Sequence, residues 1–147
     1  MAGSVVRVSA ADARPVRQDV LRPGQPVGAV IYHGDDDPDT LHAAVRRRRV
    51  VVAVATVLAE PRPDTTEVGA WHLRGMAVRP VYQRHGYGSA LVDACLAHVS
   101  AHQGSLVWCN ARVGALDFYV RHGFRAVGEC FYLPGAGDHY RMVRELS

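Results

Sequence analysis

Gln83-Arg84-His85-Gly86-Tyr87-Gly88-Ser89 is the stretch on which the reading of this chain turns. Ahead of it, Trp71-His72-Leu73-Arg74-Gly75-Met76-Ala77-Val78 is rich in apolar residues and reads as a strand ending near Arg79-Pro80. After it, Leu91, Ala94, Cys95, His98 and Val99 recur with the spacing of a one-faced helix over 88–103. The glycines therefore sit in a strand-to-helix turn. Glycine at 86 and 88 removes two side chains and admits backbone conformations costly for other residues. The first N–H groups of a helix lack intrahelical partners and lie at the positive end of its dipole. A phosphate or pyrophosphate suits such a cup, and Arg84 adds a full positive charge. A tight turn with no ligand is the plain alternative.

Two familiar phosphate motifs do not fit. A nucleotide hydrolase loop needs Lys then Ser or Thr after its last Gly, but Gly88 is followed by Ser89-Ala90, and the chain contains no lysine. The dinucleotide fingerprint needs a third Gly where Leu91 stands. Gln83-x-x-Gly86-x-Gly88 instead resembles the acyl-CoA pyrophosphate loop of the GNAT family of N-acetyltransferases. Met76-Ala77-Val78-Arg79-Pro80 is similar to that family's fourth strand. Asn110-Ala111-Arg112, Ala115, Phe118-Tyr119 and Gly123-Phe124 are similar to its fifth strand and fourth helix. Three blocks in the right order are more specific than the loop alone. Asn-Ala-Arg and Leu-Arg-Gly-Met-Ala most resemble the small bacterial ElaA-like and YitI-like branch.

The resemblance implies one GNAT domain over 1–147: an α/β fold with a mixed sheet of about six to seven strands, splayed between strands four and five and flanked by helices. It implies acetyl-CoA as cosubstrate and a primary amine of a small molecule or peptide as acceptor. Met76, Ala77 and Val78 would hold the pantetheine arm through their backbone. Gln83, Arg84, His85, Gly86, Tyr87, Gly88 and Ser89 would hold the pyrophosphate, and Asn110 would contact the pantetheine. Tyr119 stands where the family's tyrosine protonates the departing sulfur; its other reading is a core aromatic beside Phe118. His72 is the candidate base, an ordinary imidazole suiting proton removal near neutrality. Glu67, the acidic residues 35–37 and a water are its rivals. A non-catalytic acyl-CoA-binding module is the second reading.

Composition sets the frame. At 147 residues, 48% hydrophobic and 21% charged, this is the size and make-up of one globular domain. The net charge is +3 and all 17 basic residues are arginines, a bias with Ala and Val rather than a nucleic-acid signature. Cys95, Cys109 and Cys130 lie in apolar segments and read as buried thiols of a cytoplasmic protein. No signal peptide or membrane-spanning run is evident. No nucleic-acid or membrane partner is expected, and a homodimer stays open. His98 and His102 are four apart on one helix face, but without a third ligand no metal site is expected.

Val5 to Ser9 reads as a strand, and a helix runs to about Leu21, capped by Ser9 or by Asp12 with Pro15 in its first turn. Val27 to Tyr32 reads as extended. His33 to Asp39 is an acidic turn, either a solvated loop or a negative lip for a cationic amine. Val50 to Leu58, nearly all Val, Ala and Thr, suits a strand buried on both faces, with Arg46 to Arg49 an exposed hairpin turn before it. A strand over 105–110, a helix over 113–122 stopped by Gly123, and strands over 124–133 and 139–146 complete the order β-α-β-β-β-α-β-α-β-β.

Overall fold

The computed structural model describes residues 4–63 and 65–146. Its elements follow the expected order: β1 (Val5–Arg7), α1 (Ala10–Leu21), β2 (Leu41–Arg47), β3 (Val50–Ala59), β4 (Ala70–Val78), α2 (Tyr87–Ala101), β5 (Leu106–Arg112), α3 (Leu116–Arg121), β6 (Arg125–Leu133) and β7 (Gly137–Glu145). The strands form one seven-stranded sheet in the order β1-β2-β3-β4-β5-β7-β6.

Alternation across β2 and β3 assigns the two faces. Ala43, Val45, Ala53, Ala55 and Val57 pack with Leu91, Val92, Cys95, Leu96 and Val99 of α2. Ala44 and Val54 point the other way, against Ala13 and Val16 of α1. With a helix on each face, β3 has no wet side, which is why its sequence is continuously apolar. Small side chains there let both helices approach closely. Arg48 and Arg49, at φ 51° and 69°, turn the hairpin, while Arg46 and Arg47, expected in the turn, end β2 opposite Val51 and Val50; all four are exposed.

All neighbouring strands are antiparallel except β4 and β5, which are parallel and pair only at Ala70–Leu106, Trp71–Val107 and His72–Trp108. Beyond His72 they part. At the point of divergence the His72 and Trp108 rings stack, centroids 3.7 Å apart and 7° from parallel. A second irregularity lies just beyond. From Val54–Ala77 to Thr56–Arg74 the register advances two residues on β3 and three on β4, so β4 carries a bulge at Gly75-Met76. Gly75 adopts φ +64°, and a Cβ there would meet Arg17 Nε at 3.0 Å.

Several expectations need correction. Ser9, not Asp12, caps α1, its side chain accepting from the Asp12 N–H at 3.1 Å. Pro15 is inside the helix, tolerated because both it and Ala11, whose carbonyl it cannot serve, face solvent. Val27–Val30 is a 3₁₀ turn rather than an extended segment, and the Val30 carbonyl is taken by Arg17 at 3.0 Å instead of a strand. Cys95 and Cys109 are buried, but Cys130 is exposed on edge strand β6, where the register with β7 breaks. His98 and His102 both rest on Trp71, centroids 5.6 and 5.5 Å away, and His98 Nε2 also meets the Asp39 carbonyl at 2.7 Å.

Candidate active site

The parting of β4 and β5 opens a cleft of about 560 Å³. Its lining includes His72 and Met76 from β4, Asn110 from β5 and Tyr119 from α3. Four of the sequence candidates thus meet in one place. Ala77 is buried on the α1 face, so only its backbone remains for a ligand. Glu67 pairs with Arg62 at 3.1 Å away from the cleft.

His72 is held from behind. Its Nδ1 lies 2.7 Å from Oε2 of Glu60, and the Trp108 indole donates to the Glu60 carbonyl at 2.8 Å. His33 contacts the other Glu60 oxygen. The His72 bond, ahead of the opposing effect of burial, pulls the Glu60 carboxyl down to about 2. An ionised carboxylate only accepts, so Nδ1 carries the proton and Nε2 is left basic. Burial lowers the His72 pKa, and the hydrogen bond and charge of Glu60 offset this only in part. The ring is therefore neutral at neutral pH. Glu60 escaped the sequence reading; it follows β3 and lies diagonally across the β3–β4 pairing from His72, a relation visible only once the register is known.

Tyr119 and Phe118, adjacent in sequence, face different neighbours. Phe118 lies beside Gly88, where a Cβ would come within 3.3 Å of its ring, and Ser89 Oγ meets His122 Nε2 at 3.0 Å. These contacts seat α3 on the start of α2 and turn Tyr119 to the cleft. Burial raises the Tyr119 pKa, so the phenol stays protonated. Burial likewise pushes the Cys95 and Cys109 thiols up to about 12. A thiolate forming among these groups would feel the same loss of water, so the phenol remains a competent donor.

Asn110 Oδ1 accepts from Arg141 Nε at 3.2 Å, which leaves its amide nitrogen to donate. At the far end of β4, Gln83 Nε2 holds the Val78 carbonyl at 3.0 Å. Arg84 and Gly86 both have positive φ, 65° and 81°, and α2 begins at Gly86 with no side-chain cap. Nothing lies within 4 Å of a Cβ built at Gly86, so the space beside these N–H groups is free for a phosphate. Gly88 differs, its missing side chain making room for Phe118. Tyr87 is a core residue, its hydroxyl 3.2 Å from Arg47.

The acidic segment resolves into two parts. Asp35 is buried, accepting from Arg17 at 2.8 and 3.1 Å and from the Tyr32 N–H at 3.1 Å. Burial would raise its carboxyl; the Arg17 and Tyr32 hydrogen bonds and the Arg17 charge outweigh that and hold it below the ordinary carboxylate value. Arg17, wholly buried, also donates to Thr56 Oγ1 at 2.7 Å. Asp35 is neither solvated loop nor substrate lip. Asp36 and Asp37 are exposed and do not line the cleft.

Comparison with known proteins agrees with this geometry. Residues 16–126 match the acetyltransferase (GNAT) domain family. The chain is 32% identical to the uncharacterized N-acetyltransferase YitI of Bacillus subtilis, over 97% of this chain and 95% of that protein. In fold it is similar to the NatC complex bound to Gag peptide and CoA (TM-score 0.78, 15% identity, all of both chains). It is also similar to Escherichia coli ElaA (TM-score 0.72, 20% identity, 97% of this chain and 98% of that one). With the family matched over most of its length and a splayed sheet to go with it, this chain belongs to the GNAT family of N-acetyltransferases.

Proposed function

We propose that the protein transfers the acetyl group of acetyl-CoA to a primary amine, with His72 as base and Tyr119 as acid. The observation that carries this reading is a neutral, Glu60-held imidazole and a protonated phenol lining the same cleft. The uncapped start of α2, with the open space at Gly86, supports pyrophosphate binding by 83–89. The parted strands leave β4 without a strand partner on the β5 side beyond His72, which favours the backbone of Met76 and of Val78, the latter through its N–H because Gln83 holds its carbonyl, for the pantetheine arm, with Ala77 between them. Asn110 would donate to the same arm. Two buried free thiols suit a reducing cytoplasm.

Chemistry then follows from the protons. The amine nitrogen bonds to the thioester carbon as His72 Nε2 takes its proton, directly or through water. The C–S bond breaks as the Tyr119 hydroxyl gives its proton to sulfur. Passage of the His72 proton to the phenolate restores the enzyme, so one proton leaves the amine and one arrives on the thiol.

The test is a panel of amines with acetyl-CoA, following free thiol and acetylated product. Tyr119→Phe should lower kcat about 10²-fold with little change in CoA affinity. His72 must be neutral to act, so kcat/KM should fall as pH drops through its pKa, more steeply than ionisation of the amine alone would give. Because that pKa is lowered, the steepening should come below the ordinary imidazole value of about 6.5. Binding of CoA with no amine-dependent thiol release would instead favour an acyl-CoA-binding module.

A further inference from the structure

Charge on the cleft wall is one-sided. Arg22 after α1, Arg74 on β4 and Arg112 at the end of β5 all line it, and no carboxylate does so among the described residues. The imbalance continues behind the wall. Asp35 has Arg17 at 2.8 Å, Arg74 at 3.5 Å and Arg14 at 3.6 Å. Three guanidiniums around Asp35 leave positive charge in surplus among buried groups where screening is weak, and Glu60, ionised behind His72 and His33, offsets only part of it.

Arg74 is the member of this group that reaches the cleft. Arg17 takes both Asp35 oxygens, so Arg74 has only a longer contact with that carboxylate. It also donates to the His33 carbonyl, and its guanidinium lies 5.0 Å from the centre of the Tyr32 ring, itself part of the lining. Its Nε is buried with no hydrogen-bond partner. A polycationic acceptor would bring like charge to this wall and find no acid to meet it.

We infer that the acceptor is an amine that also carries an anionic group, a carboxylate or a phosphate, seated against Arg22 and Arg74. The inference rests on the acetyltransferase reading above. His72 and Arg74 are two residues apart on β4, before its bulge, so they share a face with their Cα atoms about 7 Å apart. Both side chains also border His33, His72 through Glu60 and Arg74 through the His33 carbonyl, so an amine at His72 with its anion at Arg74 suits a short acceptor.

Matched acceptors test this: β-alanine against β-alaninamide, phosphoethanolamine against ethanolamine, and putrescine as a dication. A nearby anion raises an amine's pKa, so any preference for the anionic member runs against ease of deprotonation. At least one anionic member should exceed its neutral partner about tenfold in kcat/KM, more at low salt, with putrescine poorest. The two pairs distinguish carboxylate from phosphate. Arg22→Gln and Arg74→Met should each lower the anionic-to-neutral ratio. Arg22→Gln lies outside the Asp35 network and carries the test should Arg74→Met fail to fold.

Preference for neutral or cationic amines, or an anion preference untouched by these variants, overturns the inference and leaves the acetyltransferase reading standing. If no amine is turned over, melting temperature decides. A rise with CoA, increased further by an anionic acceptor, supports the subsite; a rise with CoA alone overturns it. No rise with CoA overturns both.

Discussion

The two walls of the cleft are built by different means. At one wall, the end of β4, the turn at 83–89 and the start of α2 make a candidate phosphate cup from backbone: two left-handed residues, an uncapped helix start and a glycine with open space beside it. At the other wall, α1 and the segment before β2 are held by side chains that meet from far apart. Arg17 reaches Val30, Asp35 and Thr56, which are 13, 18 and 39 positions away. A site made of neighbours leaves a motif in the sequence, while one made of distant partners leaves scattered polar residues. The walls meet at Gly75, whose missing side chain accommodates Arg17 beneath the β4 bulge.

The sharpest way to break this comparison is Arg17→Met. Removing Arg17 takes both short hydrogen bonds from the buried Asp35 carboxylate and leaves only Arg74 and Arg14, at 3.5 and 3.6 Å, so the loss should sit toward the low end of the about 3–5 kcal/mol that breaking a buried pair costs. Urea denaturation should show a fall of that size with two-state behaviour kept. A loss under about 1 kcal/mol, typical of a surface pair, would mean that the α1 wall does not depend on this network.

Next in size is Gly86→Val. A β-branched residue at φ +81° is strained, which should cost about 1–2 kcal/mol of stability. Its larger effect should be on ligand binding: the methyls would fill the space beside the N–H groups, and the rise in melting temperature with CoA should disappear. Gly88→Ala makes the contrast, since its Cβ would press on Phe118 at 3.3 Å. That variant should lose some stability and keep most of the CoA-dependent rise. The reverse pattern would move the phosphate cup from Gly86 to Gly88.

The same contrast explains what could be read in advance. β4, the glycine turn and α2 were legible because apolar period and glycine placement are local signals, and β3 because a strand covered on both faces has no polar positions. Val27–Val30 was not: its short apolar run fits either state, and what decides is a carbonyl given to Arg17. Asp35 could not be told from Asp36 and Asp37 by type or spacing; only Arg17, eighteen positions away, separates them. Glu60 carries no signal of its own in the sequence; only strand pairing sets it beside His72. Cys130 shares its apolar surroundings with Cys95 and Cys109, yet an edge strand leaves it exposed.

The smallest expected effect tests that last kind of distinction. Asp36 and Asp37 are exposed and lie off the cleft lining, whereas Asp35 is buried against Arg17. Replacing Asp36 and Asp37 together by Asn removes two charges without disturbing that pair. Stability should change by no more than about 0.5 kcal/mol, as for surface substitutions away from such features. The amine KM should also hold, even at low ionic strength, where a guiding charge would act over more than the 8 Å or so available at physiological salt. Asp35→Asn is the control in the opposite direction: it leaves Arg17 without its carboxylate and should lower stability several-fold more than the double change. A raised amine KM in the double variant, with folding intact, would restore the exposed acids as a lip for the acceptor. It would also count against an anionic acceptor, because acids that draw a substrate in would repel one carrying a carboxylate or phosphate.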